Sequence, residues 1–123
     1  MNIRAKGATG ELQAAKWLAK WLELGYIPDR NLEQVRSGGH DLRVEPFTIE
    51  VKRCEQLALD KWWKQVNAAI VERDCPVVMY RQNRKQWRFL IPATLIGVES
   101  GFLQVGRDVF LKWAKQFVKR GKI

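Results

Sequence analysis

The sequence predicts an α/β domain in which a small mixed β-sheet is flanked by helices. Helical spacing of apolar residues appears near the start, around Trp62 and near the end, while short alternating runs bounded by turn residues lie between them. The resulting order is helix, hairpin, helix, hairpin, helix. With 123 residues, 46% of them hydrophobic and 28% charged, the chain is expected to fold as one domain, 1–123, around one core.

The polar positions Gln13, Lys16, Lys20 and Glu23 recur at helical spacing, which predicts a helix from Glu11 to Leu24, with Thr9 as a cap and Gly25 as the stop. Glu11 aligns with Ala15, Leu18 and Leu22 on the apolar stripe. It either meets the helix dipole in the first turn or approaches the acids of the hairpin described next. Tyr26 to Val35 reads as a connection around Pro28 followed by a short strand through Leu32 and Val35, and Arg36 to His40 as a loop. His40, the one histidine, is expected to hydrogen-bond locally, a phosphate contact being the alternative.

Asp41 to Val44 and Phe47 to Lys52 alternate on either side of Glu45-Pro46, the pattern of two strands joined by a tight turn. Residues two apart share a strand face, so Glu50 and Lys52 point one way while Ile49 and Val51 point the other, and the turn carries Asp41 back beside Glu50. Two carboxylates and an ammonium at a sheet edge suit a hard divalent cation on oxygen ligands, with the lysine near an activated water or phosphate. Such a trio is otherwise a solvated surface hairpin.

Asp60 is expected to cap a helix from Lys61 to about Glu72 whose apolar side is Trp62, Trp63, Val66, Ala69 and Ile70, the tryptophans serving the core rather than base stacking. Pro76 to Arg81 and Gln86 to Ile91 form the second hairpin. Its tip, with Arg81, Arg84, Lys85 and Arg88, is expected to contact DNA phosphates, the alternative being a solvated turn. Pro92 to Gly106 suggests a turn of helix and a strand at Phe102 to Val105. Asp108 then caps a helix ending before Gly121, with Phe110, Trp113, Ala114, Phe117 and Val118 packed inward and Lys112, Lys115 and Lys119 as a second phosphate-binding stripe.

Lysine and arginine outnumber acids 22 to 13, a net +9 that favours polyanions and makes nucleic acid the expected partner. No apolar run reaches the length of a membrane span and the N-terminus lacks the apolar core of a signal peptide, so a cytoplasmic protein without membrane association is expected. Cys54 and Cys75 lack metal-binding spacing and are expected to be reduced packing residues. No P-loop, dinucleotide fingerprint or serine-hydrolase elbow is present.

The Gly-Gly loop leading to Asp41, nine residues before Glu50-Val51-Lys52, resembles the PD-(D/E)xK nuclease superfamily, with Gly39-His40-Asp41 in place of Pro-Asp. Gly7-Ala8-Thr9-Gly10-Glu11 is similar to the glycine-bearing start of the archaeal-type Holliday junction resolvases of that superfamily. Trp62-Trp63-Lys64-Gln65 resembles its glutamine-bearing helix, although Ala69 replaces the tyrosine that often follows, so Gln65 is either a water-orienting residue or a boundary glutamine.

The resemblance implies a restriction-endonuclease-like core and a Mg²⁺-dependent DNA endonuclease, with Mn²⁺ as a substitute, most like a phage-type Holliday junction resolvase. It also implies that Asp41, Glu50 and the Val51 carbonyl hold the metal, that Glu11 assists through water, and that Lys52 positions the attacking water. If phage-encoded, the enzyme would work in the host cytoplasm. A homodimer acting on four-way junctions follows from the need for two opposed cuts. Alternatives are a VRR-Nuc-like, nicking or flap-cutting enzyme of the same superfamily, or a non-catalytic DNA-binding module.

Overall fold

Alternation along one strand decides how the layers form. The computed structural model describes residues 3–28, 30 and 41–118. Its elements are helix α1 (Ile3–Trp21), strands β1 (Leu42–Val44) and β2 (Phe47–Cys54), helix α2 (Leu59–Ala68), strands β3 (Cys75–Gln82) and β4 (Arg88–Pro92), a 3₁₀ turn (Ala93–Ile96), strand β5 (Phe102–Gly106) and helix α3 (Arg107–Ala114). The five strands lie in sequence order; β2 and β3 run parallel and every other neighbouring pair is antiparallel. The expected mixed sheet with flanking helices is therefore observed.

On one face Phe47, Ile49 and Val51 of β2 join Val77, Met79, Phe89 and Ile91 in the main core. There they meet Ala14, Ala15 and Leu18 of α1 and Phe110 and Ala114 of α3. Phe89 and Phe110 stack in parallel with ring centroids 4.0 Å apart. On the opposite face Val78, Tyr80 and Leu90 pack with Trp62 and Val66 of α2, and Trp63 lies against Phe102. Both α2 tryptophans thus serve packing. The second face of β2 carries Thr48, Glu50 and Lys52 instead of apolar residues, so β2 turns core to one side and chemistry to the other.

Several boundaries differ from the sequence expectation. The first helix begins at Ile3 rather than Glu11, so Gly7, Thr9 and Gly10 lie inside it and Thr9 is no cap. Isolated glycines cost a helix only about 1 kcal/mol each, and packing elsewhere along the helix outweighs that. At the other end Leu24 N–H donates to the Ala19 carbonyl (3.1 Å) and Glu23 N–H to that of Lys20 (3.3 Å). That pattern closes the helix with Glu23, at φ 53°, in the left-handed position expected of Gly25. Burial of Leu24 just beyond it offsets the strain of a non-glycine residue there.

Helix α2 starts two residues before Lys61 and stops at Ala68, so Asp60 sits in its first turn, Ala58 precedes it without a side-chain cap, and Ala69 and Ile70 fall beyond it. Likewise α3 begins at Arg107, after Gly106, with Asp108 inside the first turn, and the regular helix ends at Ala114. Phe117, expected on the packing side, is 52% exposed beside Trp113. Cys54 and Cys75 are both free thiols and belong to opposite faces of the sheet. The expected strand through Leu32 and Val35, the loop with His40, and Lys119 lie outside the described residues. No helix among the described residues is long and apolar enough to cross a membrane.

A charged brace ties the first hairpin to the segment entering β3. Asp74, 8% exposed, accepts two bonds from Arg43, at 2.7 and 2.9 Å, and one from the Thr48 hydroxyl at 2.9 Å. Thr48 Oγ1 in turn accepts the Val71 N–H at 3.0 Å. Removing the acid would strand a guanidinium and a hydroxyl. Asp74→Ala is expected to cost about 2–4 kcal/mol, below the full cost of breaking a buried pair because Arg43 still reaches water; urea denaturation of both proteins measures it.

Candidate active site

Strand β1 is only three residues long, and what precedes it continues the pairing by other means. The register Leu42↔Ile49 sets Asp41 across from Glu50. Asp41 N–H donates to the Ile49 carbonyl (3.1 Å), and its Oδ2 accepts the Val51 N–H at 2.7 Å. The carboxylate thus occupies the place a further strand carbonyl would take, which locks its direction onto the Glu50 side of the sheet.

Asp41 and Glu50 are 5% and 6% exposed. Burial above all, then the charge of Asp41, a hydrogen bond with Asp41 and the charge of Glu11 push the Glu50 carboxyl up to about 8, against the pull of Lys52. Lys52 Nζ stands 3.9 Å from Glu50 Oε2, on the face predicted by alternation. Glu11 is half-buried on α1, next to Gly10, where an added Cβ would come within 3.0 Å of the Arg53 side chain. Thus four of the expected residues, Glu11, Asp41, Glu50 and Lys52, act electrostatically on one another.

The donor chemistry suits a hard divalent cation. Two buried carboxyl groups side by side repel one another and gain from a cation between them, and oxygen ligands are what magnesium selects. Among the described residues no three His, Cys, Asp or Glu side chains gather closely enough to form a metal cluster.

The other expected site residues lie on other elements. Gln65 is exposed on α2, and no hydrogen bond among the described residues joins it to either carboxyl. Arg84, Lys85 and Arg88 are exposed on the second hairpin, while Arg81 is half-buried, its guanidinium 6.0 Å from the centre of the Trp87 ring. The hairpin tip is anchored to the segment after β2: Gln82 Nε2 donates to the Glu55 carbonyl at 3.0 Å and Asn83 Nδ2 to Glu55 Oε1 at 2.9 Å. Lys112 on α3 and Lys115 just beyond it are exposed. Sequence reasoning missed Arg53 at the end of β2 and the Asp74 brace; the first had a signal in its place after Lys52, the second depends on a contact with no local pattern.

A family model described as "Phage putative PDDEXK endonuclease" matches residues 2–111. Among solved structures, that of Hjc from Archaeoglobus fulgidus, described as a Holliday junction resolvase from an archaeal hyperthermophile, is similar. The two share 19% identity over 85% of this chain and 89% of that chain, with a TM-score of 0.44. No curated protein matches the chain in sequence.

The raised Glu50 carboxyl has a stability consequence. Between its ordinary value of 4.5 and about 8, the folded chain keeps a proton that the unfolded chain releases. Stability of the metal-free protein should therefore fall as pH rises through that window and level off above it. Glu50→Gln should remove this component of the slope and raise the melting temperature at pH 8, as thermal denaturation in EDTA across that range would record.

Proposed function

The chain belongs to the phage PDDEXK endonuclease family, and from that premise we propose a divalent-metal-dependent enzyme that hydrolyses phosphodiester bonds in branched DNA, foremost the four-way Holliday junction. One observation carries the catalytic part: strand register sets buried Asp41 across from buried Glu50, with Lys52 3.9 Å from Glu50 on the same strand face. Structural roles alone do not require two buried acids in contact, whose desolvation and repulsion cost stability.

Asp41 and Glu50 would hold Mg²⁺, with Mn²⁺ able to replace it, aided by the Val51 carbonyl and by Glu11. The metal would supply charge neutralisation for the phosphate and make water a better nucleophile. Lys52 positions that water or donates to a phosphate oxygen on which charge grows in the transition state. Val51 N–H keeps the Asp41 carboxylate aimed, so little reorganisation is needed when substrate arrives. The leaving 3′ oxygen takes a proton from solvent, and no covalent enzyme intermediate forms. Gln65 would reach substrate rather than the acids.

The branched substrate is supported by the net +9, by the anchored basic tip of the second hairpin, and by the likeness of Gly7 to Glu11 to the start of the junction resolvases. One catalytic cluster per chain suits a two-fold dimer, which sets one cluster against each of two opposed strands. The assembly is inferred from this requirement of symmetric cutting.

Asp41→Asn and Glu50→Gln are each expected to lower cleavage of a junction at least a hundredfold while binding stays equal or tightens, since each removes a metal ligand and a charge that repels phosphate. Cleavage and gel-shift assays with and without Mg²⁺ separate the two effects, and turnover retained by either variant would refute the site. Arg84→Ala with Lys85→Ala should weaken binding to every sequence alike and flatten its salt dependence by about two units, one for each lost phosphate contact. An unchanged slope in a titration against salt would return the hairpin tip to a solvated turn.

A further inference from the structure

Away from the carboxyl pair, a cleft of about 280 Å³ opens between α1, α3 and the tip of the second hairpin. Three tryptophans line it: Trp17 and Trp21 from successive turns of α1, and Trp87 from the segment leading into β4. Four cations, Arg81, Arg84, Lys85 and Arg107, line it as well, and no acid among the described residues does. We propose that this cleft binds one unpaired nucleotide of the DNA substrate, its base against the indoles and its phosphate against the surrounding cations. The inference rests on the nuclease reading and adds what kind of DNA the protein recognises.

The indoles are arranged for a flat ligand. Trp17 and Trp21 stack with centroids 5.2 Å apart at 22°, and Trp17 remains 37% exposed, an unusual investment of aromatic surface if only packing were at stake. A cation accompanies each ring: Lys20 lies 5.7 Å from the centre of Trp17, Arg107 5.3 Å from that of Trp21 and Arg81 6.0 Å from that of Trp87. Aromatic faces interleaved with cations are what single-stranded nucleic acid needs, because every base offers a π face and every linkage a charge. Trp87 is the buried member of the three, 5% exposed, and fixes the cleft wall to the main core.

The cations are held for this use. Arg81 donates to the Lys85 carbonyl at 2.8 Å, which ties the cleft wall to the hairpin tip. Arg84 sits at φ 63°, a strained conformation that anchoring of the tip maintains. Asp108 contacts Arg107 at 3.5 Å, but both side chains are so exposed, 46% and 91%, that the contact neutralises little.

Register connects the cleft to the carboxyls. Arg81 pairs with Arg53, and Arg53 lies three residues past Glu50 with its side chain over Gly10, the neighbour of Glu11. Along and across the strands, the Cα atoms of Glu50 and Arg81 are roughly 11 Å apart, with Arg81 on the α1 and α3 face of the sheet and Glu50 on the other. The cleft's size, near the lower limit of small-ligand pockets at ~300 Å³, suits a single base and excludes a duplex. A base must leave its stack to enter, and a branch point is where unstacking costs least.

The test is binding in EDTA, without cleavage, read by quenching of tryptophan fluorescence. Probes are a six-thymidine oligonucleotide and an abasic strand of equal length. Wild-type protein should prefer the thymidine strand by about tenfold, and Trp17→Leu should erase that preference without changing the salt slope. Arg107→Gln should instead weaken both probes and lower the slope by about one. Circular dichroism confirms that each variant folds, and Arg107→Gln, at an exposed position, keeps the test open if Trp17→Leu does not. Equal binding of the two probes by wild type, or variants indistinguishable from it, would overturn the proposal, as would a Trp17→Leu change in oligomer size with binding unaltered. Wild-type protein that prefers the thymidine strand yet cuts no DNA with Mg²⁺ would refute the nuclease reading and leave the cleft intact.

Discussion

The pairing of Leu42 with Ile49 is the constraint on which the site depends. A strand of three residues has little ladder to define its own register, and a slip of one residue would turn Asp41 to the wrong face. What holds it is the core on the far side: Leu42, Val44, Phe47 and Ile49 are all at most 1% exposed, and a slip would expose them. The carboxyl geometry is therefore maintained by apolar packing beneath it. Asp74 adds a second lock, since its bonds to Arg43 and Thr48 cross from one strand of the hairpin to the other.

Strand β2 can serve both purposes because it is interior to the sheet. Its neighbours β1 and β3 satisfy its backbone, leaving side chains to divide by parity between the α1 and α3 core and the polar strip of Thr48, Glu50 and Lys52. On β3, by contrast, both parities are apolar, with Val77 and Met79 on one face and Val78 and Tyr80 on the other. Helix α2 covers that second face through Trp62 and Val66. Holding two acids together at 5% and 6% exposure costs desolvation, which the surrounding packing sustains.

Strand parity and the Glu45-Pro46 turn made the pair legible in the sequence, because a two-residue turn with Asp41 and Glu50 nine positions apart leaves few ways to fold back. The stripe Ala15, Leu18 and Leu22 was equally visible and is fully buried. What the sequence obscured were the ends of helices. The helix expected to start at Glu11 already runs through Gly7 and Gly10. Ala69 and Ile70 continue the α2 periodicity, yet the chain has already turned toward β3. Asp74 was hidden for a different reason: its partners lie 31 and 26 residues earlier and meet it only once β2 and β3 have paired. Trp17 and Trp21 carry no local signal of the cleft, because the second hairpin supplies its opposite wall.

Charge distribution explains how a basic protein can carry an acidic centre. On the proposed reading, phosphates would approach along Arg81, Arg84 and Lys85, while Asp41 and Glu50 would repel them at close range. Lys52, 3.9 Å from Glu50, lowers that repulsion. A basic surface of this kind would gather DNA irrespective of the state of the acids, whereas chemistry would wait on a local reversal of charge at two buried carboxyls. Attraction and reaction would then be separate, with cutting confined to the phosphate that reaches the start of β1, where Asp41 lies.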